Sequence, residues 1–132
     1  MILLLEDEFI VMKLLRHMLK QYGLVEATSA ERALRLFSVL GRQIDLLVAD
    51  LTLPISSGIQ VALAFRSEVP NLPIILTSGY PASGWSDRDT ANLKGLGANA
   101  IMTIQKPFQA KVRLDAVCNL LGKSHVEIAR TA

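Results

Sequence analysis

A single cysteine, Cys118, occurs in the 132 residues. No internal disulfide is possible, which suits a reducing compartment. Neither sign of charge dominates: Lys+Arg 14 against Asp+Glu 12 leaves a net charge of +2. That excess is too small and too scattered to argue for nucleic-acid binding on charge alone. No apolar run approaches the roughly 20 residues that a membrane-spanning helix needs. The run Ile2-Leu3-Leu4-Leu5 stops at once at Glu6-Asp7-Glu8, and no basic residue precedes it. It is not a signal peptide. What is present is a chain that is 51% hydrophobic and 20% charged, a balance that excludes intrinsic disorder. The length suits one domain with a sizeable core. The expectation is a soluble, cytoplasmic domain that binds neither nucleic acid nor membrane.

Short apolar runs alternate with amphipathic stretches. Ile2–Leu5 reads as a buried strand. Residues 8–22 follow with Val11, Leu14, Leu15, Met18, Leu19 and Tyr22 at helical spacing, and Gly23 stands where a C-terminal cap belongs. Leu24–Ala27 is a second strand. Thr28 or Ser29 can cap the next helix, with Thr28 and Glu31 at capping-box spacing. That helix is expected to turn Ala33, Leu34, Phe37 and Leu40 inward and to stop at Gly41. Ile44–Ala49 is a third strand ending at Asp50. Gly58–Arg66 reads as a helix, Ile74–Thr77 as a fourth strand, and Ser86 as the cap of a short helix through Asp87 and Asp89. Ala100–Ile104 is a fifth strand. Lys106-Pro107 opens a last helix that closes at Gly122, so residues 1–122 form the domain and 123–132 a tail.

Strands alternating with helices imply an α/β fold around a parallel sheet covered on both faces. Ligands in such sheets bind beyond the carboxyl ends of the strands. The polar residues at those ends form a consistent set: Glu6 and Asp7 after strand one, Asp50 after strand three, Thr77 and Ser78 at strand four, and Lys106 after strand five. Three converging carboxylates repel one another unless a cation holds them. All-oxygen donors favour a hard ion such as Mg²⁺. A carboxylate can also act as a nucleophile and form an aspartyl-phosphate, with a metal, an ammonium and a hydroxyl stabilising the transferring group. Each residue also has a bland reading: solvated acids in a loop, a capping Asp50, a strand-end Thr77, and a Lys-Pro that merely starts a helix.

Other features carry less. His17 and His125 have no companions at metal spacing and read as surface residues. Lys13, Arg16 and Lys20 form a basic stripe on the first helix that reads as a solvated face. Cys118 reads as a small buried hydrophobe.

Leu3-Leu4-Leu5-Glu6-Asp7-Glu8, Leu47-Val48-Ala49-Asp50-Leu51-Thr52-Leu53-Pro54, the later Gly58, Ile75-Leu76-Thr77-Ser78-Gly79-Tyr80 and Lys106-Pro107-Phe108 together resemble the receiver domains of response regulators in two-component signalling. The resemblance runs over residues 1–122 in the expected order. It implies a five-stranded flavodoxin-like sheet of order 2-1-3-4-5 with helices on both faces. It implies that Asp50 is the phosphoacceptor and that Mg²⁺ is held by Asp7, Glu6, Asp50 and the backbone carbonyl of Thr52. Thr77 would bond a phosphoryl oxygen, with Ser78 as a rival hydroxyl, and Lys106 would pair with the phosphate. The phosphoryl donor would be a histidine kinase or a histidine phosphotransfer protein. Output would go through contact with a downstream protein, not through turnover as an enzyme.

Two departures from the family stand out. The aromatic switch residue usually found three positions before the lysine is Thr103 here, or Ile101 if the alignment is shifted. The stretch from Thr77 to Lys106 is also longer than usual and contains Tyr80 and Trp85, either of which would be the replacement aromatic or simply cover the core edge. The start at Met1 just before the first strand suggests a stand-alone receiver, with a receiver excised from a hybrid kinase as the other origin. A second class of function is a receiver-like interaction module that binds a partner without being phosphorylated. Exposed apolar residues among Phe9, Ile10 and Met12 are expected at the start of the first helix, because four apolar residues in a row, Phe9 to Met12, surround the helix and cannot all face the core.

Overall fold

A computed structural model of the chain describes residues 1–53, 57–79, 84–96 and 101–105. Five parallel strands form one sheet: β1 (Ile2–Leu5), β2 (Leu24–Ala27), β3 (Leu46–Asp50), β4 (Ile74–Ser78) and β5 (Ile101–Gln105). Their order is β2-β1-β3-β4-β5, as the resemblance implies. Between them run α1 (Phe9–Met18), α2 (Ala30–Leu40), α3 (Gly58–Glu68) and α4 (Asp87–Leu96). Among the described residues every strand pairing is parallel, so each return must cross over, and the helices supply those crossovers.

The strands feed two cores because side chains alternate across a sheet. Leu3, Leu5, Leu47, Ala49, Ile74 and Leu76 face one side and meet Ala33 and Phe37 of α2 and Ile59, Ala62 and Phe65 of α3. Ile2, Leu4, Leu46, Val48, Ile75 and Ile104 face the other side and meet Met12, Leu15 and Met18 of α1. Continuous burial of β1, β3 and β4 follows from this two-sided cover. Phe37 and Phe65 stack with ring centroids 4.0 Å apart and join α2 to α3.

Several local expectations are settled or corrected. Ser29 caps α2: its hydroxyl accepts the Arg32 N–H at 3.1 Å, while Glu31 pairs with Arg35 one turn on. Thr28 therefore forms no capping box. Gly41 ends α2 at φ 51°, a conformation that glycine adopts without strain. The first helix ends at Met18, not Tyr22, and Leu19 rather than Gly23 is its C-cap. Burying Leu19 completely forces the chain to turn there, and the Gly23 carbonyl then accepts the Ile2 N–H at 2.7 Å at the foot of the sheet. Leu14 and Leu34 are exposed rather than inward; on α1 the sheet takes the arc of Met12, Leu15 and Met18 instead. The third strand starts at Leu46 rather than Ile44: Ile44 caps a 3₁₀ turn over Gly41–Gln43, its N–H donating to the Gly41 carbonyl at 3.1 Å. The fourth helix is a full ten residues, opened by Ser86, whose hydroxyl accepts the Asp89 N–H at 3.1 Å. The expected last helix, with Cys118, and the tail lie outside the described residues.

Candidate metal and phosphoacceptor site

The strand order decides where the polar residues meet. The chain leaves β1 toward β2 on one side, and β3 lies on the other, so the crevice opens at the carboxyl ends of β1 and β3. The register pairs Leu5 with Ala49, which sets Glu6 beside Asp50. One strand further, Asp50 is the register partner of Thr77. Backbone bonds extend the sheet past these ends: the Glu6 N–H donates to the Ala27 carbonyl at 3.1 Å, and the Leu51 N–H to the Thr77 carbonyl at 2.8 Å. These residues therefore stand on sheet backbone rather than on loose loops.

Carboxylate oxygens of Glu6, Asp7 and Asp50 all lie within 4.8 Å of one another. Glu6 is fully buried, Asp50 is 3% exposed and Asp7 is exposed at the mouth. The Glu6 Oε2 accepts the Glu8 N–H at 3.1 Å, which fixes the carboxylate just ahead of α1. The Asp50 Oδ1 accepts the Thr52 N–H at 3.2 Å. Two like unit charges 4 Å apart repel by about 4 kcal/mol at an effective dielectric of about 20. A trio so placed, two of it buried, could hold a compensating cation. The donors are all oxygen and one carboxylate reaches solvent, which fits a hard divalent ion that retains water, such as Mg²⁺.

The loop after Asp50 is held shut. Thr52 and Ser57 form an isolated antiparallel bridge, and the Gly58 N–H donates to the Leu51 carbonyl at 3.2 Å. Ser57 caps α3, its hydroxyl accepting the Ile59 N–H at 3.1 Å. A β-carbon on Gly58 would lie 2.2 Å from the Asp50 carbonyl oxygen, so only glycine lets α3 begin this close to the strand end. The Ser56-Ser57-Gly58 run ahead of an apolar helical pattern carried the signal for the cap. The close approach to Asp50 had none.

Thr77 and Ser78 are both buried at the end of β4, so burial does not separate the two hydroxyls. Lys106 lies outside the described residues, as do Pro54 and Tyr80. Thr103 is exposed on β5, opposite Leu76 in register, and Ile101 is half-buried against the core of α2 and α3. Trp85 is half-buried against that same core. Lys13, Arg16 and Lys20 are all exposed, Lys20 just past the end of α1, and Arg16 donates to Glu26 from Nε at 2.6 Å and from Nη2 at 2.7 Å. His17 is exposed.

A family model described as the response regulator receiver domain matches residues 2–118. Among curated relatives, protein-glutamate methylesterase/protein-glutamine glutaminase 3 of Hahella chejuensis is 28% identical over 109 residues, 80% of this chain and 30% of the relative. Response regulator GtcR of Aneurinibacillus migulanus is 30% identical over 121 residues, 90% of this chain and 45% of that protein. The chain thus spans less than half the length of either relative. The crystal structure of a response regulator receiver protein from Sinorhizobium medicae superposes with a TM-score of 0.76 at 28% identity, covering 92% of this chain and 93% of that one.

Proposed function

The chain belongs to the response regulator receiver domain family, and from that premise we propose that it accepts a phosphoryl group on Asp50 in a Mg²⁺-dependent reaction. The supporting observation is the carboxylate trio of Glu6, Asp7 and Asp50, with Thr77 as the register neighbour of Asp50. The donor is a phosphohistidine on a histidine kinase or a histidine phosphotransfer protein. An oxygen of the Asp50 carboxylate attacks phosphorus, and the bond from phosphorus to the donor imidazole breaks. The imidazole nitrogen leaves with the electron pair and takes up a proton.

The residues divide the work. Asp7, Glu6, Asp50 and the Thr52 carbonyl would hold the metal, which would neutralise charge on the phosphoryl oxygens. The Thr52 N–H orients Asp50 through Oδ1. Thr77 donates its hydroxyl to a phosphoryl oxygen, and Lys106 supplies an ammonium to the same group. Output is contact with a downstream protein. The chain is a signalling phosphoacceptor rather than a turnover enzyme, and its place is the cytoplasm; no described helix is long and apolar enough to cross a membrane.

The test is intact mass after incubation with Mg²⁺ and a small-molecule phosphodonor such as acetyl phosphate. The wild-type chain gains one phosphoryl group. Asp50→Asn keeps the shape and gains none. Uptake that survives in Asp50→Asn removes Asp50 as acceptor. No uptake in the wild type leaves the unphosphorylated interaction module as the reading.

A further inference from the structure

Half of the described arginines are engaged within the fold. Arg66 is buried in α3 and spends its donors on backbone: Nε and Nη2 on the Leu72 carbonyl at 3.1 and 3.0 Å, and Nη1 on the Leu96 carbonyl at 2.7 Å. Arg16 is bound to Glu26, and Arg35 to Glu31. Arg32 on α2 has no ion-pair partner among the described residues. Glu31 is the one acid on α2, and Arg35 already holds it. The exposed side of α2, with Arg42 in the turn that follows, is therefore cationic.

Apolar residues run into that side. Leu36 and Leu40 are half-buried against the core beneath α2. Val39 is 75% exposed and stands outside that core. Residues three, four and seven apart share a helix face. Arg32, Leu36 and Val39 therefore lie along one face, with Leu40 one turn beyond Leu36. Single exposed apolar residues are common, but Val39 extends two leucines that the core covers only in part. The sheet ends at β2, on which α2 packs. From the carboxyl end of β2, α2 runs back toward the start of β3, so Leu36–Leu40 lies at the opposite end of the sheet from Asp50.

We infer that the face of Arg32, Leu36, Val39 and Leu40 is a docking surface for an acidic amphipathic helix of a partner protein. Its apolar side chains cover Val39 and the two leucines, and its carboxylates pair with Arg32. The charge selects this occupant. A second copy of the chain would bring the same cations to the contact, and the one acid of its α2 is already bound. The surface stands away from Asp50, so the partner stays attached whatever the state of that site. The inference does not rest on the reading of Asp50 as phosphoacceptor.

Amide chemical shifts of the full chain test it, with a synthetic helical peptide as probe that carries leucines on one face and glutamates on the other. Shifts should move at Arg32–Leu40 as the peptide is added. Val39→Ser lies in solvent and should fold; it should weaken binding about tenfold, the worth of burying one aliphatic side chain. Arg32→Gln should weaken it about two- to fivefold and lessen its dependence on salt. Asp50→Asn should bind as the wild type does, and weaker binding there overturns the independence from that site. Shifts confined to α1, or none at all, overturn the assignment to α2. Equal binding of a peptide with lysines for glutamates overturns the acidic partner, and equal binding of one with serines for leucines overturns the apolar contact. Shifts at α2 that follow protein concentration without peptide would make the occupant a second copy and overturn the proposal.

Discussion

Gly58 and Asp50 approach so closely that a β-carbon at position 58 would stand 2.2 Å from the Asp50 carbonyl oxygen and 2.9 Å from its carbonyl carbon. The neighbour is sheet backbone, which cannot turn aside as a side chain can. The first residue of α3 and the end of β3 are therefore set against each other, and the position of the Asp50 carboxylate depends on the absence of a side chain at 58.

Gly58→Ala measures this dependence. Alanine favours a helix over glycine by up to about 1 kcal/mol. Forcing a methyl group into a filled space typically costs about 1–3 kcal/mol, and a backbone contact belongs at the upper end. The clash wins, so the variant should be destabilised by roughly 2 kcal/mol in urea unfolding. Phosphoryl uptake from a small donor should fall with it, because Asp50 is displaced. A variant of wild-type stability and uptake would show that the strand end yields freely.

The carboxylate trio gives opposite predictions with and without metal. Glu6 is buried beside Asp50, so Glu6→Gln removes a repulsion and should leave the metal-free protein as stable as the wild type or more so. Metal binding to the native state alone stabilises by about 2.7 kcal/mol at a hundredfold excess over its dissociation constant. Thermal melts with and without Mg²⁺ should therefore show a rise in Tm for the wild type that shrinks sharply in Glu6→Gln and in Asp7→Ala. An equal rise in all three would place the metal elsewhere.

Much of this site was legible because it lies at strand ends, and strands announce themselves as apolar runs. Leu3–Leu5 and Leu47–Ala49 fix where β1 and β3 stop, and the acids follow at once. Once the order β2-β1-β3-β4-β5 holds, Glu6, Asp50 and Thr77 must be neighbours. The face of α1 was less legible. Apolar residues surround its first turns, so periodicity alone does not say which arc meets the sheet: Met12 is buried there and Leu14 is exposed. Arg66 gave no signal at all, since its partners are backbone carbonyls 6 and 30 residues away in sequence. The same holds for Gly58, whose spacing from Asp50 marks the motif but not the contact.

Glu26 reports on the β2 edge through pH. Its carboxyl is held below the usual range by its hydrogen bonds from Arg16, against the opposing effect of partial burial. A carboxyl with a lowered folded-state pKa adds stability that is present above its unfolded value and is lost as pH falls through the folded one. Arg16→Gln should thus lose a small amount of stability at neutral pH, and the two proteins should converge as pH drops below the carboxylate range. Urea midpoints at several pH values check this. A difference independent of pH would assign the role of Arg16 to packing of its stem.

The last prediction concerns the donor protein. Phe9 and Ile10, 73% and 79% exposed, open α1 beside the acidic trio, and Leu14 continues their arc. No acid occurs on α1, and Lys13 and His17 lie exposed on the same side. Single exposed apolar residues are common, but three on one arc at the mouth of the site make a patch suited to an apolar helix face with acidic flanks. A glutamate is tolerated in the first turn of a helix, so Ile10→Glu should fold. It should slow transfer from a phosphohistidine donor by about tenfold or more, the worth of burying one large aliphatic side chain. Ile10→Gln, which adds no charge near the carboxylates, should slow it as well, though less. Uptake from acetyl phosphate needs no docking and should stay at the wild-type rate in both variants. Equal loss with both donors would place the damage in the site itself, and full activity with both would mean that the donor docks elsewhere.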